Sequence, residues 1–409
     1  LYHRRNFRNN INLWHRPKLQ KMIVILLLYI VILLIVGYYL SKRNVFAPSV
    51  LSCAIWVICL TLFCILPHRL PPLSWQFLGS LSIWITLLWL LSLFVQSFKH
   101  SVPRVEASKP IRDIFLTITI VTFPLYLMQV IPIATSAGSH WAWALRQYAL
   151  DENTFSGFIV LLWKTTYLIE LYYARKTTLW RTTLPAIIYL TFGFLSMAKI
   201  TFFEFAVTTL AILYTQKRVH VKHLLAGILL LLAAFFIVQS IRQEQAFQQK
   251  GEKMDFIVLY ALSSMSAFDT LDPYSAAHIG ENTFRIYYAI SYACGNETKP
   301  VDPILPFIQK PIITNTYTAM YPFFKDFGYI GVAIAAILLG LIFGYLFRGV
   351  LQNSAFFIIA YAYFANVIIL QYVADIFMTN LAGHIKFILL LSIPFIVGHL
   401  KIFNTQTYE

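Results

Sequence analysis

The sequence predicts an all-helical integral membrane protein with about eleven transmembrane helices and one large, partly helical extramembrane loop. Of its 409 residues, 59% are hydrophobic and 12% are charged, and the mean hydropathy is +0.68. Because average soluble domains are about one quarter charged, a soluble enzyme, a disordered chain and a coiled coil are all disfavoured. Apolar runs of about 20 residues, the length that crosses a bilayer as a helix, recur along the chain.

The apolar runs give the predicted helices in chain order. They cover residues 22–40, 46–66, 75–97, 112–132, 156–174, 184–197, 200–215, 223–240, 328–346, 354–372 and 384–400. The chain thus divides into a basic leader (1–21), transmembrane helices 1 to 8 (22–240), a large loop that we call the cap (241–327), and helices 9 to 11 with a short tail (328–409). In the ninth helix, Gly340 and Gly344 form a G-x-x-x-G pattern that favours a close helix contact.

Basic residues in the connections predict the orientation. One set of connections carries Lys42, Arg43, Lys99, Arg104, Lys109, Arg112, Arg175, Lys176, Arg181, Lys217, Arg218, Lys222, Arg348 and Lys401. The opposite short connections carry Arg69, Arg146, Lys199 and Lys386. Because basic loops stay in the cytoplasm, we expect the first set to be cytoplasmic and the cap to be periplasmic, in a bacterial inner membrane.

The basic segment 1–21 conflicts with this orientation, since eleven spans would place it outside. The chain begins with Leu1, and Met22 opens the first apolar run directly. We therefore expect residues 1–21 to precede a natural start at Met22. A cleaved leader peptide is the alternative, although no small-residue cleavage site follows the run. If the segment is native and cytoplasmic, the number of spans must be even.

The net charge of +15 fits cytoplasmic loops that face anionic lipid. It does not indicate nucleic-acid binding, because no basic helix is interleaved with aromatic residues. The four cysteines and the histidines show no zinc-ligand spacing, so we expect no metal and no other cofactor.

Two predicted helices and their turn share residues 183–216, so each reaches about 25 Å across a hydrocarbon core of about 30 Å. We expect the turn to be recessed, with Lys199 at its tip and Glu204 one turn deeper. Charges at that depth need a polar cavity or each other. The alternatives are a cavity, and a Lys199–Glu204 pair whose lysine reaches to the interface. Lys164 and Glu170 are six residues apart on different faces, so we do not expect them to pair.

The cap is rich in tyrosine, phenylalanine and proline, and carries charged residues of both signs. A structureless loop of this size is improbable, so we expect a folded cap. Residues 255–270 are apolar enough for an interfacial helix. Two interpretations of the charges stay open: a solvated surface, and a groove for a polar ligand at the membrane surface.

At residues 315–331 the chain reads NTYTAMYPFFKDFGYIG, directly before an apolar helix. This segment resembles the oligosaccharide repeat unit polymerases (Wzy-type O-antigen polymerases), in which a Tyr/Phe-rich stretch ends in Asp-Phe-Gly-x-x-Gly. Asp326, Phe327, Gly328 and Gly331 match that step. The order of spans and the single large late loop are also similar.

The resemblance implies a glycosyltransferase acting at the periplasmic face without a nucleotide sugar or a metal. The donor is a growing glycan on undecaprenyl diphosphate, and the acceptor is one repeat unit on the same lipid. An acceptor hydroxyl attacks the anomeric carbon of the donor, and undecaprenyl diphosphate leaves. The implied partners are undecaprenyl-diphosphate-linked oligosaccharide, membrane lipid and, as a further candidate, a chain-length regulator.

This chemistry selects candidate residues. Cationic side chains must stabilise the departing diphosphate, and the candidates are Lys199, Arg242, Arg285 and Arg146. A general base must accept the hydroxyl proton, and the candidates are Asp269, His278 and Asp326. Tyr317 and Tyr321 are candidates for stacking on sugar rings.

Each of these residues also has a structural alternative. Asp326 is suited to capping a helix that begins at Gly328. For His278, an ordinary surface position is the favoured alternative. Tyr317 and Tyr321 also suit the aromatic belt at the membrane interface.

Two other functions remain as alternatives. An O-antigen ligase uses the same class of donor but transfers to lipid A–core, and the Asp-Phe-Gly-x-x-Gly step favours the polymerase. A lipid-linked oligosaccharide flippase or other transporter predicts inverted repeats and paired broken helices, and no repeat is evident between the halves of the chain.

Overall fold

The computed structural model describes residues 12–68, 70–99, 101–150, 156–220, 237, 261–302, 304–308 and 314–406. Within these ranges the regular structure is helical, apart from one isolated bridge between Ile308 and Thr314. The helices are α1 Asn12–Leu40, α2 Pro48–Ile65, α3 Trp75–Gln96, α4 Lys109–Ser136, α5 Trp141–Leu150, α6 Ser156–Tyr172, α7 Trp180–Leu195, α8 Lys199–Thr215, α9 Ser263–Phe268, α10 Arg285–Ala293, α11 Tyr321–Leu351, α12 Ala355–Ile369 and α13 Leu381–Gln406.

Among the described residues, seven helical stretches are long and apolar enough to cross a membrane. They are Leu19–Leu40, Pro48–Ile65, Trp75–Gln96, Lys109–Ser136, Tyr321–Leu351, Ala355–Tyr372 and Leu381–Leu400. The chain is therefore an α-helical, multi-pass membrane protein in its described part, and each of the seven stretches coincides with a predicted run.

The other four of the eleven predicted spans correspond to shorter helices or to residues outside the described ranges. Helices α6, α7 and α8 occupy three further predicted runs, but they have only 17, 16 and 17 residues. At about 1.5 Å per residue they reach roughly 24–26 Å, which is short for a bilayer core. The predicted run 223–240 lies outside the described residues except for Ile237. Eleven spans thus remain a prediction.

The chain divides into two compact units. The first unit takes its residues from Leu1–Phe98, Glu252–Tyr345 and Val367–Leu381. The second unit takes its residues from Lys99–Gly251, Leu346–Asn366 and Ala382–Glu409.

In the first unit, glycines allow α3 and α11 to pack closely. A Cβ atom placed on Gly344 would lie 2.7 Å from the backbone oxygen of Ser92, and one on Gly340 would lie 2.9 Å from the Cβ of Leu91. The close helix contact predicted from the G-x-x-x-G pattern is therefore confirmed, and it is made within the chain. Nearby, the buried Gln371 accepts a 2.7 Å hydrogen bond from the indole of Trp84.

Helix α11 begins seven residues before the predicted start at Gly328, and Gly328 interrupts it. Gly328 has φ 59° and ψ −146°, a conformation that side-chain-bearing residues rarely adopt. A Cβ atom there would also lie 2.7 Å from the hydroxyl of Tyr274. The Asp-Phe-Gly step is thus a kink inside a longer helix, because the preceding residues Tyr321–Phe327 are already helical.

The second unit packs α4, α5, α6 and α7 around a common apolar core. Its buried members are Tyr126, Val130, Leu145, Trp163 and Ile188. Ring contacts add to this packing, since the centroids of Tyr126 and Trp163 lie 5.5 Å apart at an interplanar angle of 79°.

Candidate functional site

The cap is tied to helix α11 through Asp326. One carboxylate oxygen of Asp326 accepts a 2.6 Å hydrogen bond from the Asn282 amide, and the other accepts a 2.7 Å bond from the backbone N–H of Thr283. All three residues are buried. The predicted capping of a helix at Gly328 is therefore not the role of this carboxylate, because α11 already begins at Tyr321 and the 282–283 turn supplies its donors.

A cavity of about 250 Å³ lies beside this anchor, within the first unit. Ligand sites for drug-sized molecules are usually about 300–1,000 Å³, so this volume suits a smaller group such as a sugar ring or a phosphate. Side chains from the cap, from the start of α11 and from the loop after α12 line it, among them Asn282, Arg285, Asp302, Tyr321, Asp375 and Thr379.

Backbone groups orient two of the charged side chains at the cavity. Arg285 is the first residue of α10, and its Nε donates a 2.8 Å hydrogen bond to the carbonyl of Val301. Asp302, which follows Val301 in the chain, is exposed, and its carboxylate accepts a 2.7 Å hydrogen bond from the N–H of Ile304. A guanidinium and a carboxylate therefore line one small cavity, each held by the main chain.

Asp375 supplies a second carboxylate to the same cavity, from the loop between α12 and α13. Its oxygens accept hydrogen bonds of 3.0–3.2 Å from the N–H groups of Phe377, Met378 and Thr379 and from the Thr379 hydroxyl. Burial raises the pKa of Asp375 to about 6, although these hydrogen bonds act in the opposite direction. Asp375 thus shapes the loop that closes one wall of the cavity.

Of the two predicted sugar-binding tyrosines, only Tyr321 lines this cavity. Tyr317 packs against it with ring centroids 4.7 Å apart and donates a 3.1 Å hydrogen bond to the carbonyl of Pro306. Lys325 donates a 3.2 Å bond to the Tyr321 hydroxyl. Tyr317 is therefore a buried support for Tyr321.

The candidate bases Asp269 and His278 are not among the residues that line the cavity. Asp269 accepts bonds of 2.6 Å and 2.5 Å from the N–H and hydroxyl of Ser74, the residue that caps α3. Burial raises the pKa of Asp269, and the Ser74 hydrogen bonds oppose that rise. His278 is exposed, with its ring centroid 6.3 Å from that of Tyr288. Asp269 thus joins the cap to α3.

The expected interfacial helix over 255–270 differs from the structure in its described part. Helix α9, Ser263–Phe268, is buried along its whole length. Phe268 packs on Phe77 and Phe324, with ring centroids 5.9 Å and 5.0 Å apart. The apolar composition of this segment therefore reflects burial within the protein. Residues 255–260 lie outside the described residues.

Two of the other predicted cations, Lys199 and Arg146, are not among the residues that line the cavity. Lys199 is the first residue of α8 and Arg146 lies on α5, both in the second unit. Arg242 lies outside the described residues.

A polar cluster lies among the helices of the second unit. Lys164 of α6 forms an ion pair with Glu204 of α8, which also accepts a 3.1 Å hydrogen bond from the Tyr189 hydroxyl. The Lys164 nitrogen lies 4.4 Å from the ring centroid of Tyr363, whose hydroxyl is 2.9 Å from Nδ1 of His384. The sequence offered a polar cavity or Lys199 as the environment of Glu204, and Lys164 is a partner that neither alternative included, because α6 packs beside α8.

A second charged network in this unit centres on Glu170. Arg112 makes bonds of 3.0 Å and 2.9 Å to its two oxygens, and Arg181 makes bonds of 3.0 Å and 3.2 Å. Arg181 also lies 2.7 Å from a carboxylate oxygen of Asp113. The prediction that Lys164 and Glu170 do not pair is confirmed, since each has its own partners.

A larger cavity, of about 650 Å³, lies between α1 and the end of α2. Its lining mixes apolar side chains such as Phe63 and Leu66 with polar ones such as Gln20 and His68. The smaller cavity is the better candidate site because charged groups of both signs converge on it. Within the described residues, no group of three or more His, Cys, Asp or Glu side chains has the arrangement of a metal site.

Compared with family models, with curated proteins and with solved structures, the chain matches none. Assignment of its function therefore depends on the residues themselves.

Proposed function

We propose that this chain is an oligosaccharide repeat unit polymerase of the bacterial inner membrane, with the cavity beside Arg285 at the periplasmic face as part of its active site. The observation that carries the proposal is the cavity itself. A guanidinium, two carboxylates and a tyrosine converge there, directly beside the Asp-Phe-Gly-x-x-Gly segment that resembles this family.

The charge that develops on the departing undecaprenyl diphosphate calls for a cation. Arg285 offers a planar guanidinium suited to two phosphate oxygens at once, and its bond to Val301 holds it at the cavity. In this assignment, Arg285 stabilises the leaving group as the bond from the anomeric carbon to the diphosphate oxygen breaks.

The attacking hydroxyl needs a proton acceptor. Asp302 is the exposed carboxylate at the cavity, whereas the oxygens of Asp375 are occupied by the 377–379 loop. We assign Asp302 as the general base in addition to the candidates found from sequence. It takes the proton of the acceptor hydroxyl as that oxygen bonds to the anomeric carbon. The buried Asp326 holds the 282–283 turn at the cavity wall.

A genetic complementation experiment tests this function. A strain that lacks the gene is complemented with the full chain, and its lipopolysaccharide is separated on a gel. We expect long-chain ladders to return with the wild-type chain and to be lost with Arg285→Ala. Lys176→Ala serves as a matched control, because that lysine is a well-exposed cation paired with Glu106.

The same gel separates the alternatives. A polymerase predicts that the knockout keeps the band of core with one repeat unit. If the knockout lacks even that band, the polymerase assignment fails, and a ligase or a flippase takes its place.

A further inference from the structure

Helix α10 of the cap presents an apolar stripe to its surroundings. Tyr287 and Ile290 are exposed three residues apart on the helix, and Phe284 and Cys294, which directly flank the helix, are exposed as well, so the four side chains form one apolar stripe. Tyr287 and Ile290 are 64% and 59% exposed, high values for apolar side chains on a folded loop. Something other than the described protein must cover this stripe, or it faces water at a cost.

The start of α10 is fixed at a defined depth. Lys325 and Asp326 are the last charged residues before the uncharged stretch 327–347 of α11. That stretch has the length of the hydrocarbon core, about 30 Å at 1.5 Å per residue. The hydrocarbon boundary on this side therefore lies near Phe327, next to the Asp326 carboxylate that holds Asn282 and Thr283.

The stripe on α10 also continues an exposed apolar surface of α11. Phe284 packs beside Phe327, with ring centroids 6.2 Å apart. Beyond the kink, Ile330, Ile334 and Leu338 are exposed at four-residue intervals along the spanning helix. An apolar surface thus runs from the outside of α11 onto the exposed face of α10.

From these observations we propose that α10 is an interfacial helix, seated in the lipid leaflet on the side of the cap. Its stripe of Phe284, Tyr287, Ile290 and Cys294 enters the boundary between headgroups and acyl chains. Tyrosine suits that layer, because its ring is apolar and its hydroxyl stays near water.

This placement of α10 has a consequence for the cavity, because Arg285 is the first residue of the helix and also lines the cavity. The cavity then stands at headgroup level. One consequence rests on the proposed function, whereas the placement of the helix does not. The diphosphate of a lipid-linked substrate then reaches Arg285 while its polyprenyl chain stays in the bilayer.

Fluorescence depth measurement tests the helix placement without any activity assay. The full chain is purified and reconstituted into phosphatidylcholine–phosphatidylglycerol vesicles. Cys64→Ser removes the other exposed thiol, while Cys53 and Cys59 are buried, so that an environment-sensitive fluorophore labels the native Cys294. In a background that also carries Cys294→Ser, Ile290→Cys gives a second probe, and Glu297→Cys gives a matched control on an exposed loop position.

The probes at 290 and 294 are expected to be quenched several-fold more by nitroxides on the lipid acyl chains than by iodide in the water, and the probe at 297 to show the reverse. Equal iodide quenching at all three positions overturns the proposal, because the stripe then faces water. Protection of 290 and 294 from both quenchers also overturns it, because protein, such as a second copy of the chain, then covers the stripe. Failure of the polymerase assay alone leaves this result unaffected.

Discussion

The two units of this protein hold their charged side chains in different ways. In the second unit, Glu170 lies between Arg112 and Arg181, so that acidic and basic side chains neutralise one another where the helices pack together. In the first unit, Arg285 and Asp375 line a cavity and take hydrogen-bond partners from the main chain. Opposite charges that pair across helices hold those helices together, whereas Arg285, held by a backbone carbonyl beside a cavity, is the group that the proposed function assigns to an anionic ligand.

The largest effect should come from breaking the network of the second unit. Glu170→Ala leaves the buried Arg112 guanidinium without its carboxylate and removes one of the two acidic partners of Arg181, so we expect a loss of about 3–5 kcal/mol in the free energy of unfolding. Thermal unfolding of the purified chain measures it. The control is Glu106→Ala, which removes an exposed pair with Lys176 and should cost about 1 kcal/mol or less. Similar losses for both variants would contradict the structural role of Glu170.

The anchor between the cap and α11 should give the next largest effect. Asp326→Asn removes the charge from a carboxylate that binds Asn282 and the N–H of Thr283, at a cost of about 1.5–3 kcal/mol. We expect proteases to cleave the cap faster while the spanning helices stay folded. Asp272→Asn, at an exposed position in the same loop, should leave the cleavage rate unchanged. An unchanged rate in Asp326→Asn would rule out the anchor.

Disturbing the close packing of α3 against α11 in the first unit should lower the stability by a smaller amount. Gly344→Ala brings a methyl group within 2.7 Å of the Ser92 backbone oxygen, so α3 and α11 must separate. Overpacking of this kind costs about 1–3 kcal/mol. Gly157→Ala is the matched control, because no atom lies within 4 Å of its added methyl group. A neutral Gly344→Ala in thermal unfolding would show that the helices are not in close contact.

The smallest effect concerns pH. Folding raises the pKa of Asp375 from 3.8 to about 6, so the folded chain holds this proton more tightly than the unfolded chain does. The contribution to stability is complete below about pH 4 and is lost as the pH rises towards 6. We therefore expect the unfolding temperature to fall across this window less steeply in Asp375→Asn than in the wild-type chain. Identical slopes would show that Asp375 does not titrate there.

The seven long apolar helices were predictable because the thickness of a bilayer fixes how many apolar residues a span requires. Residues 183–216 must hold two predicted helices and a turn in only 34 residues. The sequence therefore predicted two short helices joined by a tight turn, and α7 and α8 are such a pair. The early start of α11 was not predictable, because Tyr321–Phe327 is aromatic and charged and looks like loop in a hydropathy pattern.

The site was less predictable than the fold. Arg285 and Tyr321 were found from the chemistry implied by the resemblance, and both line the cavity. The contacts of Asp326 with Asn282 and of Glu204 with Lys164 join residues about 40 positions apart, and no local spacing encodes such pairs. Asp302 was missed for the same reason, since its place at the cavity depends on the path of the folded cap.

The most direct test of the central claim is an assay with purified components. The full chain in vesicles is given a lipid-linked repeat unit, and the length of the glycan and the released polyprenyl diphosphate are both measured. The account predicts glycans that grow by whole repeat units, with one polyprenyl diphosphate released for each new bond and none in Arg285→Ala. Absence of both elongation and release by the folded wild-type chain would contradict it.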